Sequence, residues 1–128
     1  MTRKVLVIDD SPFVFKAVSK ALEGTEWEVV GNALDGQIGV DKYIELRPDV
    51  ITLDVTMPIM DGIEALEKII DEDKDACVVM ISALGQEFKI IEALRKGARH
   101  YIIKPFKEED IICKIKGIIA ESKVNSHA

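Results

Sequence analysis

Apolar residues in this chain come in short runs, and most of the runs break at a polar residue with reactive or charged chemistry. Val5-Leu6-Val7-Ile8 stops at Asp9-Asp10, Val50-Ile51-Thr52-Leu53 stops at Asp54, and Cys77-Val78-Val79-Met80-Ile81 stops at Ser82. Tyr101-Ile102-Ile103 stops at Lys104-Pro105, and Glu28-Val29-Val30-Gly31 is a weaker run of the same kind. Runs that are β-branched and apolar on both faces predict strands of a parallel sheet covered by helices on each side.

The intervening segments carry helical periodicity. Ser11-Pro12 places a capping residue before a proline at the first helical position, and Phe13, Ala17 and Leu22 then suggest an apolar stripe ending at Gly24. A second helix is predicted from about Gly36 to Arg47, where Pro48 disfavours helical geometry in the residue before it. A third follows Asp61-Gly62 with Ile63, Leu66, Ile69 and Ile70 at helical spacing. A fourth runs from about Gln86 to Lys96 with a stripe of Ile90, Ile91 and Leu94, and Gly97 suits its C-terminal cap. The last begins near Glu108 and carries Ile111, Ile112, Ile115, Ile118 and Ile119.

Strict alternation of strands and helices, with right-handed crossovers, implies an α/β doubly wound fold. The expectation is a flavodoxin-like (βα)5 domain over residues 1–121 with strand order 2-1-3-4-5, followed by a tail over 122–128. A length of 128 residues fits one domain with its own core.

Composition narrows the function classes. With 17 basic and 23 acidic residues, the net charge is −6, so the chain lacks the basic footprint of a nucleic-acid binder. No apolar stretch is long enough to span a membrane, and only Val5–Ile8 separates the first basic residues from Asp9, too little for a signal-peptide core. Cys77 and Cys113 both sit in apolar segments and are read as buried thiols in a reducing cytoplasm.

The chemistry lies at the strand ends. With strands 1, 3, 4 and 5 adjacent, Asp9, Asp10, Asp54, Ser82 and Lys104 converge on one edge of the sheet. Each pair of carboxylates at roughly 4 Å and an effective dielectric near 20 costs about 4 kcal/mol. Such a cluster calls for a cation, and hard oxygen donors in an open site suit Mg²⁺; no His or Cys stands at a strand end to favour a transition metal. A metal beside a carboxylate nucleophile suits phosphoryl transfer, with Asp54 attacking phosphorus to form an aspartyl phosphate.

These segments resemble the response-regulator receiver family across nearly the whole chain. Val7-Ile8-Asp9-Asp10-Ser11 is similar to its acidic first loop, and Leu53-Asp54-Val55-Thr56-Met57-Pro58 with Asp61-Gly62 to its phosphoacceptor loop. Ile81-Ser82-Ala83 resembles its switch hydroxyl segment and Lys104-Pro105-Phe106 its lysine–proline loop. The strand order above is one already known for this family. The resemblance implies that Asp54 is the phosphoacceptor and that Asp9, Asp10, Asp54 and the Thr56 carbonyl hold Mg²⁺. It implies that Ser82 and Lys104 hold the phosphoryl group, that Lys104-Pro105 is cis, and that Ser82 and Tyr101 form the switch. The output surface would be the face of the fourth helix, fifth strand and fifth helix.

Implied partners are a sensor histidine kinase as phosphodonor and a downstream effector, with a flagellar or chemotaxis component as a candidate. Ser82-Ala83-Leu84-Gly85-Gln86 is similar to the segment of some chemotaxis regulators of the family. The chain would be a stand-alone cytoplasmic switch, monomeric or dimerising on phosphorylation, and no enzyme beyond its own phosphorylation and dephosphorylation. The alternatives are a receiver fragment of a longer regulator with an output domain, or a small aspartyl-phosphate phosphatase. The phosphatase would want a second Asp where Thr56 stands, and Asp9-Asp10 would repel the phosphate of a flavin. Two departures from the family pattern bear on behaviour. Val55 follows Asp54, which leaves Trp27 outside the pocket, and Leu84, two beyond Ser82, cannot orient an attacking water. Phe13, Phe15 and Phe106 are read as packing residues, and His100, His127, Lys114, Lys116 and Lys123 as surface.

Overall fold

A computed structural model describes residues 3–126, with side chains through residue 117. The tail expected over 122–128, and the readings for Ile118, Ile119, Lys123 and His127, lie outside the described side chains.

Strands β1 (Arg3–Ile8), β2 (Trp27–Ala33), β3 (Val50–Asp54), β4 (Val78–Ala83) and β5 (His100–Lys104) alternate with helices α1 (Pro12–Ala21), α2 (Gly36–Leu46), α3 (Gly62–Glu72), α4 (Glu87–Arg95) and α5 (Glu108–Ser126). All pairings are parallel, and the order is β2-β1-β3-β4-β5. The expected α/β fold and strand order therefore hold. β4 starts one residue later than the apolar run and continues through Ser82 to Ala83.

Alternation along the strands divides the core in two. Leu6, Ile8, Ile51, Leu53, Val78 and Met80 face Val40 and Tyr43 of α2, Leu66 and Ile69 of α3, and Ala93 of α4. Val5, Val7, Val50, Val79, Ile81 and Ile102 face Val14 and Val18 of α1 and Ile111 and Ile115 of α5. Each fully buried aliphatic side chain contributes about 1.5–3 kcal/mol relative to exposure, which makes the sheet a rigid platform for whatever stands at its edge.

Several sequence expectations are corrected by helical rotation. Val14, Val18 and Ala21 form the buried stripe of α1, and Phe13, one position off it, is 78% exposed; Phe15 and Phe106 do pack against the core. In α4 the buried pair is Ile90 and Ala93, while Ile91 and Leu94 are turned outward. Neither thiol is in the core: Cys77 precedes β4 and is half-buried, and Cys113 projects from α5 between the inward Ile111 and Ile115.

Candidate functional site

β1, β3 and β4 end in buried polar residues at one edge because their apolar runs end there. Asp9 follows β1, Asp54 closes β3, and β3 and β4 are in register so that Asp54 lies opposite Ile81, one residue before Ser82. Asp9 and Ser82 are fully buried and Asp54 nearly so, while Asp10 is exposed at the rim. Carboxylate oxygens of Asp9, Asp10 and Asp54 all lie within 4.8 Å of one another. Lys104, at the end of β5, places its Nζ 3.4 Å from Asp9 Oδ2 and 3.6 Å from Asp54 Oδ2.

The turns around this edge are built to hold it. The Ser11 N–H donates to Asp9 Oδ1 at 2.8 Å, and the Thr56 N–H donates to Asp54 Oδ1 at 3.2 Å. Ser11 stands at the N-cap of α1, but its side chain makes no capping bond among the described residues, so this acidic turn is not a capping device. Asp61, by contrast, caps α3 by accepting from the Glu64 N–H at 2.9 Å. Gly62 donates to the Val55 carbonyl at 2.8 Å, and a Cβ on it would collide with the Asp54 carbonyl oxygen. Only glycine lets α3 begin so close to the backbone of Asp54. Met57 and Met60 bury their side chains and anchor the loop between β3 and α3. Between them Ile59 is 85% exposed with φ +68°, a conformation that a β-branched residue rarely adopts.

The electrostatics are out of balance. Burial, followed by the charge of Asp9, pushes the Asp54 carboxyl up to about 7. Lys104 and the Thr56 N–H act in the opposite direction. Burial also raises Asp9, against the Ser11 N–H and Lys104. One ammonium does not neutralise three carboxylates. Asp9 Oδ2 lies within ion-pair range of Lys104 but has no well-formed hydrogen bond among the described residues, and the buried Ser82 Oγ has none either. An oxygen-donor cluster with a buried, under-satisfied carboxylate fits a hard divalent cation such as Mg²⁺.

The structure thus brings Asp9, Asp10, Asp54 and Lys104 together, with Ser82 at the adjoining end of β4 and Thr56 two residues beyond Asp54. The Lys104-Pro105 peptide is cis. Tyr101 lies apart, half-exposed on β5, where it lines a groove of about 360 Å³ with Ile90, Ile91, Leu94 and Ile103. Lys114 Nζ of α5 sits 5.5 Å from the Tyr101 ring centroid. Trp27 is buried at the opposite end of the sheet, opposite Arg3 in register and beneath its guanidinium.

One participant was not among the sequence candidates. Gln86, the residue before α4, accepts the Ala83 N–H on Oε1 at 3.1 Å and donates from Nε2 to Thr56 Oγ1 at 2.9 Å. A glutamine before a helix carries no sequence signal for this; only its nearness to Ser82 could have drawn attention to it.

Known proteins resemble this chain over most of its length. The response regulator receiver domain model matches residues 5–116. The chain is 47% identical to the chemotaxis protein CheY of Treponema pallidum, over 91% of this chain and 82% of that protein. It is 41% identical to CheY of Listeria monocytogenes, over 85% and 92%. Among solved structures, the CheX-CheY-BeF3-Mg complex from Borrelia burgdorferi contains a chain that matches with a TM-score of 0.86 and 37% identity, over 91% of this chain and 89% of that one. The response regulator domain of Thermotoga maritima CheB matches with a TM-score of 0.82 and 37% identity, over 94% and 96%.

Proposed function

The chain belongs to the response regulator receiver domain family, and from that premise we propose that it is a Mg²⁺-dependent phosphorylation switch with Asp54 as phosphoacceptor. The observation that carries the reading is the convergence of Asp9, Asp10 and Asp54 within 4.8 Å beside the Lys104 ammonium.

Asp9, Asp10, Asp54 and the Thr56 carbonyl would hold the ion, and Mg²⁺ bound there would supply positive charge for the phosphoryl oxygens. Asp54, deprotonated, attacks phosphorus with one carboxylate oxygen. The P–N bond of a phosphohistidine donor breaks, and its electron pair leaves on the imidazole nitrogen, which takes up a proton from solvent. Lys104 Nζ already lies close to Asp54 Oδ2 and turns to pair with a phosphoryl oxygen. The Ser82 hydroxyl donates to another, satisfying a group that is otherwise buried without a partner among the described residues. Hydrolysis then returns Asp54 to its free carboxylate, and the chain acts on no other substrate.

A histidine kinase as donor and a chemotaxis output are supported by the likeness to CheY proteins. Output through the groove of α4 and β5, with Tyr101 as a rotamer switch, is supported by the exposed Ile91, Leu94 and Tyr101. A cytoplasmic setting is supported by the same likeness to CheY proteins. Among the described residues, no helix is long and apolar enough to cross a membrane.

Incubation with Mg²⁺ and acetyl phosphate, followed by mass spectrometry, tests the reading. A phosphoryl-sized gain that is acid-stable, alkali-labile and absent in Asp54→Asn is expected. Sustained turnover of many phosphate esters would instead make the chain a phosphatase.

A further inference from the structure

We propose that the Gln86 carboxamide is a latch that holds the loop between β4 and α4 in its unphosphorylated position, and so acts as a positioning residue for Ser82. The inference rests on the phosphoacceptor reading above and adds to it a residue that opposes the switch.

Gln86 stands at the N-cap of α4, yet its side chain makes no capping bond among the described residues. It turns back over the loop. Oε1 takes the N–H of Ala83, which is bonded directly to Ser82, and Nε2 donates to the hydroxyl of Thr56, two residues beyond Asp54. One side chain therefore ties the end of β4 to the loop after β3. The rest of the tethered loop is lightly packed: Leu84 is 73% exposed, and Gly85 has φ +93° with open space where a Cβ would be. The Gly85 N–H is held by another side chain, Glu87, at 3.3 Å.

The Ser82 hydroxyl is what this loop must deliver. It is fully buried and has no hydrogen-bond partner among the described residues. To donate to an oxygen carried on Asp54, the end of β4 must shift toward β3, and the Ala83 peptide is drawn with it. That shift stretches the Ala83–Gln86 bond, whose other end is fixed to Thr56. Contacts made only before the anion arrives favour the resting state and weaken anion binding by their own net worth. The bond that is lost is one neutral hydrogen bond, and its usual net worth of about 1 kcal/mol corresponds to about a fivefold effect.

The test measures the affinity of the whole chain for beryllofluoride, a phosphoryl-like anion, by calorimetry in saturating Mg²⁺, with Mg²⁺ affinity measured alone. Gln86→Ala, and Gln86→Asn, which is too short to reach both partners, should each bind beryllofluoride about fivefold more tightly than wild type. Mg²⁺ affinity should stay within about twofold, because the metal's own donors are untouched. In a Thr56→Val background, which keeps the backbone carbonyl but removes the anchor of the latch, the gain from Gln86→Ala should fall to within about twofold. A residue that merely stabilises the loop would lower the denaturation midpoint without tightening anion binding. Unchanged or weaker beryllofluoride binding in both variants, with normal wild-type binding, overturns the latch alone. Absence of beryllofluoride binding in wild type overturns the phosphoacceptor reading, and the latch with it.

Discussion

Replacing Asp54 by Asn should make the metal-free protein more stable at pH 8, although it removes the residue on which the proposed function depends. The carboxyl is nearly buried and pushed from 3.8 to about 7, chiefly by desolvation and then by Asp9. Between those two values the folded state binds more protons than the unfolded state. Stability therefore falls as pH rises through that window, and the whole penalty is present above it. The gap corresponds to about 4 kcal/mol as an upper bound. The amide is nearly isosteric with the protonated acid but sits beside Lys104 and the Thr56 N–H with imperfect pairing, which returns about 1–2 kcal/mol. The expected net stabilisation is about 1–3 kcal/mol at pH 8, and it turns into a deficit of about 1–2 kcal/mol near pH 4, where Asp54 is protonated in the folded wild type and only the imperfect pairing of the amide remains.

Urea denaturation of wild type and Asp54→Asn in EDTA, at intervals from pH 4 to pH 8, gives the difference curve directly and cancels the carboxylates remote from the site; the easier ionisation of Asp9 beside a neutral amide is part of the difference. Repeating it in excess Mg²⁺ should reverse the ranking. Wild type gains about 2.7 kcal/mol when the ion is at 100 times its Kd, and the variant, short of one carboxylate, gains less. A variant that in EDTA is no more stable than wild type at pH 8, or a difference that does not grow with pH, would refute the claim that this carboxylate is held at an electrostatic cost.

Three other outcomes follow from the same geometry. Lys104→Ala should leave Mg²⁺ binding in place but reduce phosphorylation by acetyl phosphate roughly 100- to 1,000-fold, as removal of one preorganised donor does elsewhere; intact-mass time courses measure it. Leu84→Glu should change the decay rate of the phosphorylated form several-fold, by adding to an exposed loop position a group able to orient water; an unchanged decay would count against it. Trp27 emission should be nearly insensitive to Mg²⁺, because the ring is buried at the far end of the sheet from Asp54; strong quenching on titration would place the ion elsewhere.

What could be read from the sequence was whatever the strand pattern controls. An apolar run that halts at Asp9, Asp54, Ser82 or Lys104 states both that a strand ends there and what its last residue offers, and the order 2-1-3-4-5 makes those ends neighbours. What could not be read depends on a rotation or a close approach that composition does not encode. Phe13, Ile91 and Leu94 are apolar, but the angle of each helix on the sheet turns them to solvent. The collision that excludes a side chain at Gly62 involves the Asp54 carbonyl, and no pattern in the chain announces that two loops will meet there. Gln86 belongs to this second group: its role comes from reaching across to Thr56, thirty positions away.

Several local rules of folding are broken together at this one edge. Two buried carboxylates share a single lysine, a serine hydroxyl is buried without a partner among the described residues, and an isoleucine adopts a positive φ. Each is unfavourable in the resting protein, and a buried unsatisfied polar group alone costs about 1–3 kcal/mol. The packed sheet can hold these costs because Val5–Ile8, Val50–Leu53 and Val78–Ile81 are fully or almost fully buried on both faces. In the proposed function a cation would answer the excess of carboxylates, and an oxyanion on Asp54 would answer both Lys104 and Ser82. A ligand that relieves several such costs together binds the state in which they are relieved, and that difference in affinity is the force available to move the loop carrying Ser82.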